Sequence, residues 1–339
     1  MKPIFNYIIT IHNKEDLIEN VLNSVINCCH DNSYIYPVLD GCTDDSENII
    51  DGIISMNQNI SITKIKINDV HEILSINEGL RNSNQSIEGY NIILQDDVVL
   101  KDYSLEEKIS QLYKNVGNQL GYLSFRLGAN LKDDILDNAD SLLFKDLIES
   151  AYGHGINNTK ILLPGMFAFR SIAIKSPVCI PTRIIKEFGL LDEKLAPCFH
   201  DDTEYCLRLL KNGYKNGVFA IKYESDLDWG GTRKNPNPNY AKFIRNNLAY
   251  LKNKYFDEIK IIISTEQEKK TILFNEMSTN IERKKAIKQY KVSQIKRKKF
   301  ESQELNSIGK IKLYLSGGIL SKIFKFIFNT CQLSKRNLR

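Results

Sequence analysis

Ile92-Ile93-Leu94-Gln95-Asp96-Asp97-Val98-Val99-Leu100 is an apolar run that ends in an amide and two adjacent carboxylates and then resumes. The middle of a buried strand takes no charge, so acids between apolar residues belong where the strand leaves the edge of a sheet. In α/β folds that edge is where ligands bind. Two neighbouring anions facing a cleft repel each other unless a cation lies between them, and carboxylate oxygens suit a hard ion such as Mg2+ or Mn2+. A metal-bound diphosphate is the ligand this predicts. An ordinary Asp-containing turn is the other reading of the same residues.

Working outward, Asn6 to Ile11 is a β-branched strand-like run, followed by a polar loop from Asn13 to Asp16. Leu17, Ile18, Val21, Leu22, Val25 and Ile26 then recur at helical spacing. Tyr34 to Leu39 predicts a second strand, ending in Asp40-Gly41-Cys42-Thr43-Asp44-Asp45-Ser46, where Gly and Asp mark a turn and Asp44 to Ser46 offer a cap for the next helix. Ser61 to Ile67 reads as a third strand, Glu72 to Leu80 as a helix and Tyr90 to Leu94 as a fourth strand. Such alternation implies an α/β fold, a mostly parallel sheet with helices on both faces. Further on, Gly121 to Leu127 and Phe167 to Ile174 read as strands. Arg183 to Phe188, Thr203 to Asn212 and Pro238 to Tyr250 read as helices. The segment from Leu131 to Ile161 has no clear period.

With 339 residues, 42% hydrophobic and 26% charged, the chain has the composition of a globular protein able to bury a core. Its seven cysteines are odd in number and form no CxxC pair, and the N-terminus reads as strand, not signal peptide. A reducing cytoplasm is the expected compartment, with the thiols acting as small apolar residues. No run reaches the roughly 18 apolar residues of a membrane span. The net charge of +5 is unevenly placed: residues 255–339 hold 19 Lys+Arg against 8 Asp+Glu, leaving 27 against 33 for residues 1–254. Residues 1–254 therefore read as one unit and 255–339 as a basic, helical extension.

Four acidic features follow one another at edge or loop positions: Asp40, Asp96-Asp97, Asp201-Asp202, and Asp226 with Asp228. With their surroundings they resemble glycosyltransferase family 2, whose GT-A fold joins a nucleotide-diphospho-sugar-binding α/β sheet to an acceptor-binding half. The resemblance spans most of residues 4 to 235. Ile8-Ile9-Thr10-Ile11-His12-Asn13-Lys14-Glu15 is similar to the family's first strand and loop, which implies nucleotide contacts from Thr10, His12 and Asn13, with His12 where an aromatic is usual. A plain loop histidine is the bland reading of His12. Leu39-Asp40-Gly41-Cys42-Thr43-Asp44 resembles the motif DDGSTD with Leu39 for its first Asp, and implies that Asp40 accepts hydrogen bonds from the base. Asn77-Glu78-Gly79-Leu80 matches the helix before the metal strand.

Gln95-Asp96-Asp97 takes the place of the DxD-type motif, with Gln95 for its first Asp. The resemblance implies that Asp97 ligates Mg2+ or Mn2+, that Asp96 supports it, and that Gln95 faces ribose or a metal-bound water. Gly189-Leu190-Leu191-Asp192-Glu193, then Phe199-His200-Asp201-Asp202-Thr203-Glu204-Tyr205-Cys206-Leu207-Arg208 and Gly213-Tyr214, resemble the elements G-x-x-D-E, E-D-x-D-x-x-x-R and G-Y. By that match Asp202 is the catalytic base, with Asp201 as the alternative and His200 beside them on the acceptor side. A helix N-terminus rich in acids has a structural reading too, through the dipole. Asp228 falls where many relatives carry a metal-binding His, Arg233 where a cation neutralises the diphosphate, and Trp229 is a sugar-stacking platform or a core residue.

The resemblance thus implies an inverting, metal-dependent transfer of a sugar from a nucleotide-diphosphate donor, most often a UDP-sugar, to a hydroxyl of a glycan or glycolipid, in surface glycan or polysaccharide synthesis. A nucleotidyltransferase is disfavoured because no glycine occurs from Thr10 to Glu15, and a dehydrogenase because no GxGxxG follows the first strand. A sugar- or lipid-binding module without turnover is the rival that Gln95 and Asp228 support. The lysines mixed with apolar residues from Ile311 to Phe328 suit either a peripheral membrane contact or a solvated helix, and no nucleic-acid-binding module is recognisable.

Overall fold

A computed structural model describes residues 2–132, 143–156, 159–226, 228–230 and 238–311, with side chains through residue 302. The first strand, β1 (Phe5–Ile11), is buried at every position. Tyr7, Ile9 and Ile11 enter one core and Ile8 the other, as the period of two along a strand requires. Helix α1 (Ile18–Ile26) turns Ile18, Val21, Leu22 and Val25 onto the first core. There follow β2 (Ser33–Asp40), α2 (Ser46–Met56), β3 (Ser61–Ile62), β4 (Ile65–Ile67), α3 (His71–Asn82) and β5 (Tyr90–Gln95). Helix α3 covers the opposite face so closely that a Cβ at Gly79 would lie 2.4 Å from Ile8 Cγ2.

After β6 (Val99–Leu100) and α4 (Leu105–Val116) come β7 (Leu120–Ser124), β8 (Leu127–Leu131), β9 (Phe144–Ser150), β10 (Lys160–Leu162), β11 (Met166–Phe169), β12 (Ile172–Ile174) and β13 (Val178–Pro181). The chain continues through α5 (Thr182–Phe188), α6 (Asp201–Lys211), β14 (Lys215–Phe219), β15 (Tyr223–Glu224), α7 (Tyr240–Lys254), α8 (Phe256–Ser264), β16 (Thr271–Leu273) and α9 (Asn280–Ile311). The main sheet has ten strands, in the order β16-β11-β14-β7-β13-β5-β1-β2-β3 with β4 also on β2. Strands β5, β1, β2, β3 and β4 are parallel, so the ends of β1, β2 and β5 emerge at one edge. Strand β13 runs antiparallel to β5 and brings its beginning to that edge. Smaller sheets pair β10-β9-β8-β12 and β15-β6.

This is the α/β architecture with a largely parallel sheet that the alternation predicts. The differences fall where short runs hide turns. Ser61 to Ile67 is two strands, both on β2, and Phe167 to Ile174 is two strands in different sheets. Arg170 and Ser171 make the crossing, and Asn216 accepts and donates there, through its carbonyl to Arg170 N at 3.1 Å and its amide to the Ser171 carbonyl at 2.9 Å. The boundary at residue 254 does not separate a body from a tail in this fold. Strand β16 pairs with β11 inside the main sheet, and Met277, Ala286 and Tyr290 belong to the first core. Among the described residues six cysteines are free, four of them buried, and burial pushes Cys28 and Cys198 up to about 12. No helix among the described residues is long and apolar enough to cross a membrane.

Candidate active site

The parallel register places Thr10 of β1 beside Gln95 of β5, and Ile11 beside Leu39 of β2. The loops that follow these strands therefore meet without any long-range rearrangement. His12 N donates to Asp96 Oδ2 at 3.0 Å, and His12 Nδ1 lies 2.6 Å from the Asp40 carbonyl. Asn13, at φ 49°, uses Oδ1 to accept from Thr43 N at 2.8 Å and Asp44 N at 3.3 Å. Asp40 is buried and accepts from Val70 N at 2.7 Å. Gly41 is required here: its φ is +58°, and a Cβ would lie 2.8 Å from Asp69 N. The loops after β1, β2 and β4 thus form one cradle, with Asp40 on its wall.

His12, Asp40 and Asp69 bring potential donor atoms within 4.8 Å of one another, the one such group of three among the described residues. Neither Asp97 nor Asp228, the ligands implied by the sequence, belongs to it. Asp97 is buried at the start of the turn that leads to β6, and Asp228 is exposed. The Asp96 carboxyl is pushed up to about 7, first by burial and further by the charge of Asp97, with Lys14 and the His12 amide pulling it down. Lys14 Nζ lies 3.8 Å from Asp96 and also donates to the Trp229 carbonyl. Two adjacent carboxyl groups at a sheet edge are chemically suited to a hard divalent cation.

The third group lies where β13 begins. Gln95 N donates to Ser176 Oγ at 3.1 Å, and the Gln95 amide donates to Glu72, so Gln95 faces a carboxylate of α3. Glu72 in turn lies 3.2 Å from Lys175 Nζ, which also contacts Asp201 Oδ2 at 2.5 Å. Burial alone would lower the Lys175 ammonium, but Asp201 and then Glu72 outweigh it and hold it above the usual lysine range. Burial raises Glu72, with Lys175 opposing. Asp202 Oδ1 accepts from Thr203 N at 2.6 Å, and Oδ2 accepts from Lys175 N at 3.4 Å. Burial, then the charge of Asp201, push Asp202 up to about 6. His200, in the left-handed region at φ 66°, is driven down to about 4 by burial, so its ring is neutral.

The structure therefore brings Thr10, His12, Asn13, Asp40 and Asp96 together, and separately Gln95, Asp201 and Asp202. Arg233 lies outside the described residues. Glu72 and Lys175 link Gln95 to Asp201 within the second group and carry no mark in the sequence: one is an ordinary helix acid, the other a lone lysine before Ser176-Pro177. Asp201 has its charge paired with Lys175, which leaves Asp202 as the carboxylate with basic capacity to spare.

The α/β architecture with its largely parallel sheet is that of the GT-A fold, which solved glycosyltransferases share. The model of glycosyl transferase family 2 matches residues 7–125, about a third of the chain. Residues 1–349 of S. aureus TarS in complex with UDP-GlcNAc are similar at 12% identity and a TM-score of 0.52, over 77% of this chain and 71% of that one. A mannosyltransferase from Pyrobaculum calidifontis, PcManGT, in complex with GDP-Man and Mn2+, is 12% identical at a TM-score of 0.49, over 100% of this chain and 89% of that one. Against a longer S. aureus TarS chain, with 13% identity and a TM-score of 0.48, the match covers 66% of this chain but 37% of that one. No curated protein matches the sequence.

Proposed function

We propose that this chain is an inverting glycosyltransferase that moves a sugar from a nucleotide-diphosphate donor to a hydroxyl of a glycan or glycolipid. The observation that carries the reading is Asp202, a buried carboxylate pushed up to about 6 at the sheet edge that also gathers Asp40 and Asp96. A base poised near neutral pH accepts the acceptor proton as that oxygen attacks the anomeric carbon. Direct displacement inverts that carbon. Asp40, with Thr10, His12 and Asn13, contacts the base and ribose, and UDP is the proposed nucleotide, as the UDP-GlcNAc complex of TarS suggests.

The acids after β5 fit a divalent cation, with Asp97 and Asp228 as its proposed ligands and Arg233 beside the diphosphate. Such an ion, Mg2+ or Mn2+, supplies neutralisation of the departing diphosphate when bound. Synthesis of a surface glycan at the cytoplasmic side of a membrane, with a peripheral contact from the basic C-terminal residues, is the proposed setting.

Calorimetric titration of UDP and GDP, with and without Mn2+ and with Asp97→Ala as control, tests the donor site. Metal-dependent binding of one nucleotide that the substitution abolishes is the expected result. Absence of binding for both nucleotides in both conditions would refute the reading. One observation favours a binding module without turnover: Gln95 spends its amide on Glu72. Donor hydrolysis or transfer by the wild-type protein would exclude that reading.

A further inference from the structure

We propose that the pocket between the loop carrying Trp229 and helix α9 holds a neutral sugar ring of the acceptor, with α9 as its specificity wall. This rests on the glycosyl-transfer reading and adds a site to it. The pocket has a volume of about 260 Å3 and is lined by Tyr152, His154, Trp229, Gln289, Ser293 and Lys296. That lies just below the about 300–1,000 Å3 usual for small-molecule sites, which suits a sugar ring and excludes a folded peptide.

Gln289, Ser293 and Lys296 recur at i, i+4 and i+7, so one face of α9 supplies an amide, a hydroxyl and an ammonium. Opposite them stands Trp229, whose ring offers the flat apolar surface on which the C–H face of a sugar stacks. Such a mixture of one aromatic platform and several neutral or paired polar groups recognises hydroxyls. Lys296 is paired with Asp226 at 2.8 Å, and Glu224 adds a further negative charge to the lining. A phosphate or a sugar acid would meet these carboxylates, so the ligand is an uncharged polyol.

The walls are fixed in place. Tyr290 OH contacts Glu149 Oε2 at 3.0 Å, the Ile156 carbonyl at 3.0 Å and Thr159 Oγ1 at 2.8 Å, which ties α9 to the loop bearing Tyr152 and His154. Gly155, at φ +73°, lets that loop approach so closely that a Cβ would lie 2.5 Å from Gln294 N. The pocket also communicates with the donor side. Lys14 lies within reach of Asp96 and donates to the Trp229 carbonyl, so the platform is one side chain from the proposed diphosphate site. Asp40 is linked to Asp96 through a different residue, His12.

Trp229 is the single tryptophan of the chain, so its emission reports on this pocket alone. Maltose, lactose and N,N′-diacetylchitobiose are titrated while emission is read, and UDP binding is measured separately by calorimetry. At least one disaccharide should give a saturable change in emission. Ser293→Phe, which fills the pocket, should abolish that change, and Gln289→Ala should weaken it at least tenfold, both with UDP binding and melting temperature retained. No saturable change with any of the three in protein that binds UDP would overturn the pocket assignment, as would an unaltered titration in Ser293→Phe. Disaccharide binding in protein that binds neither UDP nor GDP would uphold the pocket and overturn the glycosyl-transfer reading instead.

Discussion

Replacing Lys175 with Met removes the ammonium that faces Glu72 at 3.2 Å and Asp201 at 2.5 Å while keeping most of the side-chain volume. The Lys175 side chain is only 12% exposed and that of Asp201 1%, so the Asp201 carboxylate left behind cannot be rescued by water. Breaking one side of a buried ion pair costs about 3–5 kcal/mol. At about 2 °C per kcal/mol for a chain of this size, the melting temperature should fall by about 6–10 °C. The second effect is on the base. Asp202 titrates at about 6 with Lys175 pulling it down, so loss of that positive charge raises it further. Losing a close positive charge ordinarily moves the midpoint of a carboxyl group upward by about 1–3 on the pH scale. A base works deprotonated, so the acid limb of kcat/KM should move from about 6 to above 7. Turnover at pH 7 should drop about tenfold and recover toward pH 9. The assay is the pH profile of donor turnover, with Lys175→Arg as the variant that keeps the charge. An acid limb still at about 6 in folded Lys175→Met would refute the proposed link between this lysine and the base.

Three further outcomes are expected. Asp202→Asn should lower turnover by about a hundredfold or more while leaving UDP affinity unchanged by calorimetry, and unchanged turnover would remove Asp202 from the mechanism. Gly41→Ala should destabilise the fold by about 1–3 kcal/mol in denaturant titration, because a left-handed φ and the Asp69 backbone both oppose a Cβ. Tyr290→Phe should cost about 1–3 kcal/mol and show increased hydrogen exchange in α9, since Glu149 stays buried with one partner fewer.

The parallel half of the sheet was legible at β1, β2 and β5, mostly apolar runs that end in the polar pairs His12-Asn13, Asp40-Gly41 and Asp96-Asp97. Asp40 and Asp96 stood out for the related reason that charge beside an apolar run has few places to go, whereas Asp202 was marked by the family resemblance alone. Glu72 and Lys175 were not legible, since their meaning depends on β13 returning antiparallel to β5, a pairing over more than eighty residues that no local period encodes. The convergence of His12, Asp40 and Asp69, drawn from three loops, was out of reach for the same reason, since no local spacing marks it. The basic segment from residue 255 was misleading by composition: its lysines among the described residues are exposed, and the apolar residues that reach the cores, such as Ile259, Met277, Ala286 and Tyr290, are too sparse to stand out.

That late contribution has a consequence for biosynthesis. Strand β11 is covered on one side by β14 and on the other by β16, which is formed by residues 271–273. Until those residues leave the ribosome, β11 presents a raw row of amides and carbonyls at the margin of the sheet, the kind of border along which unfinished chains join one another.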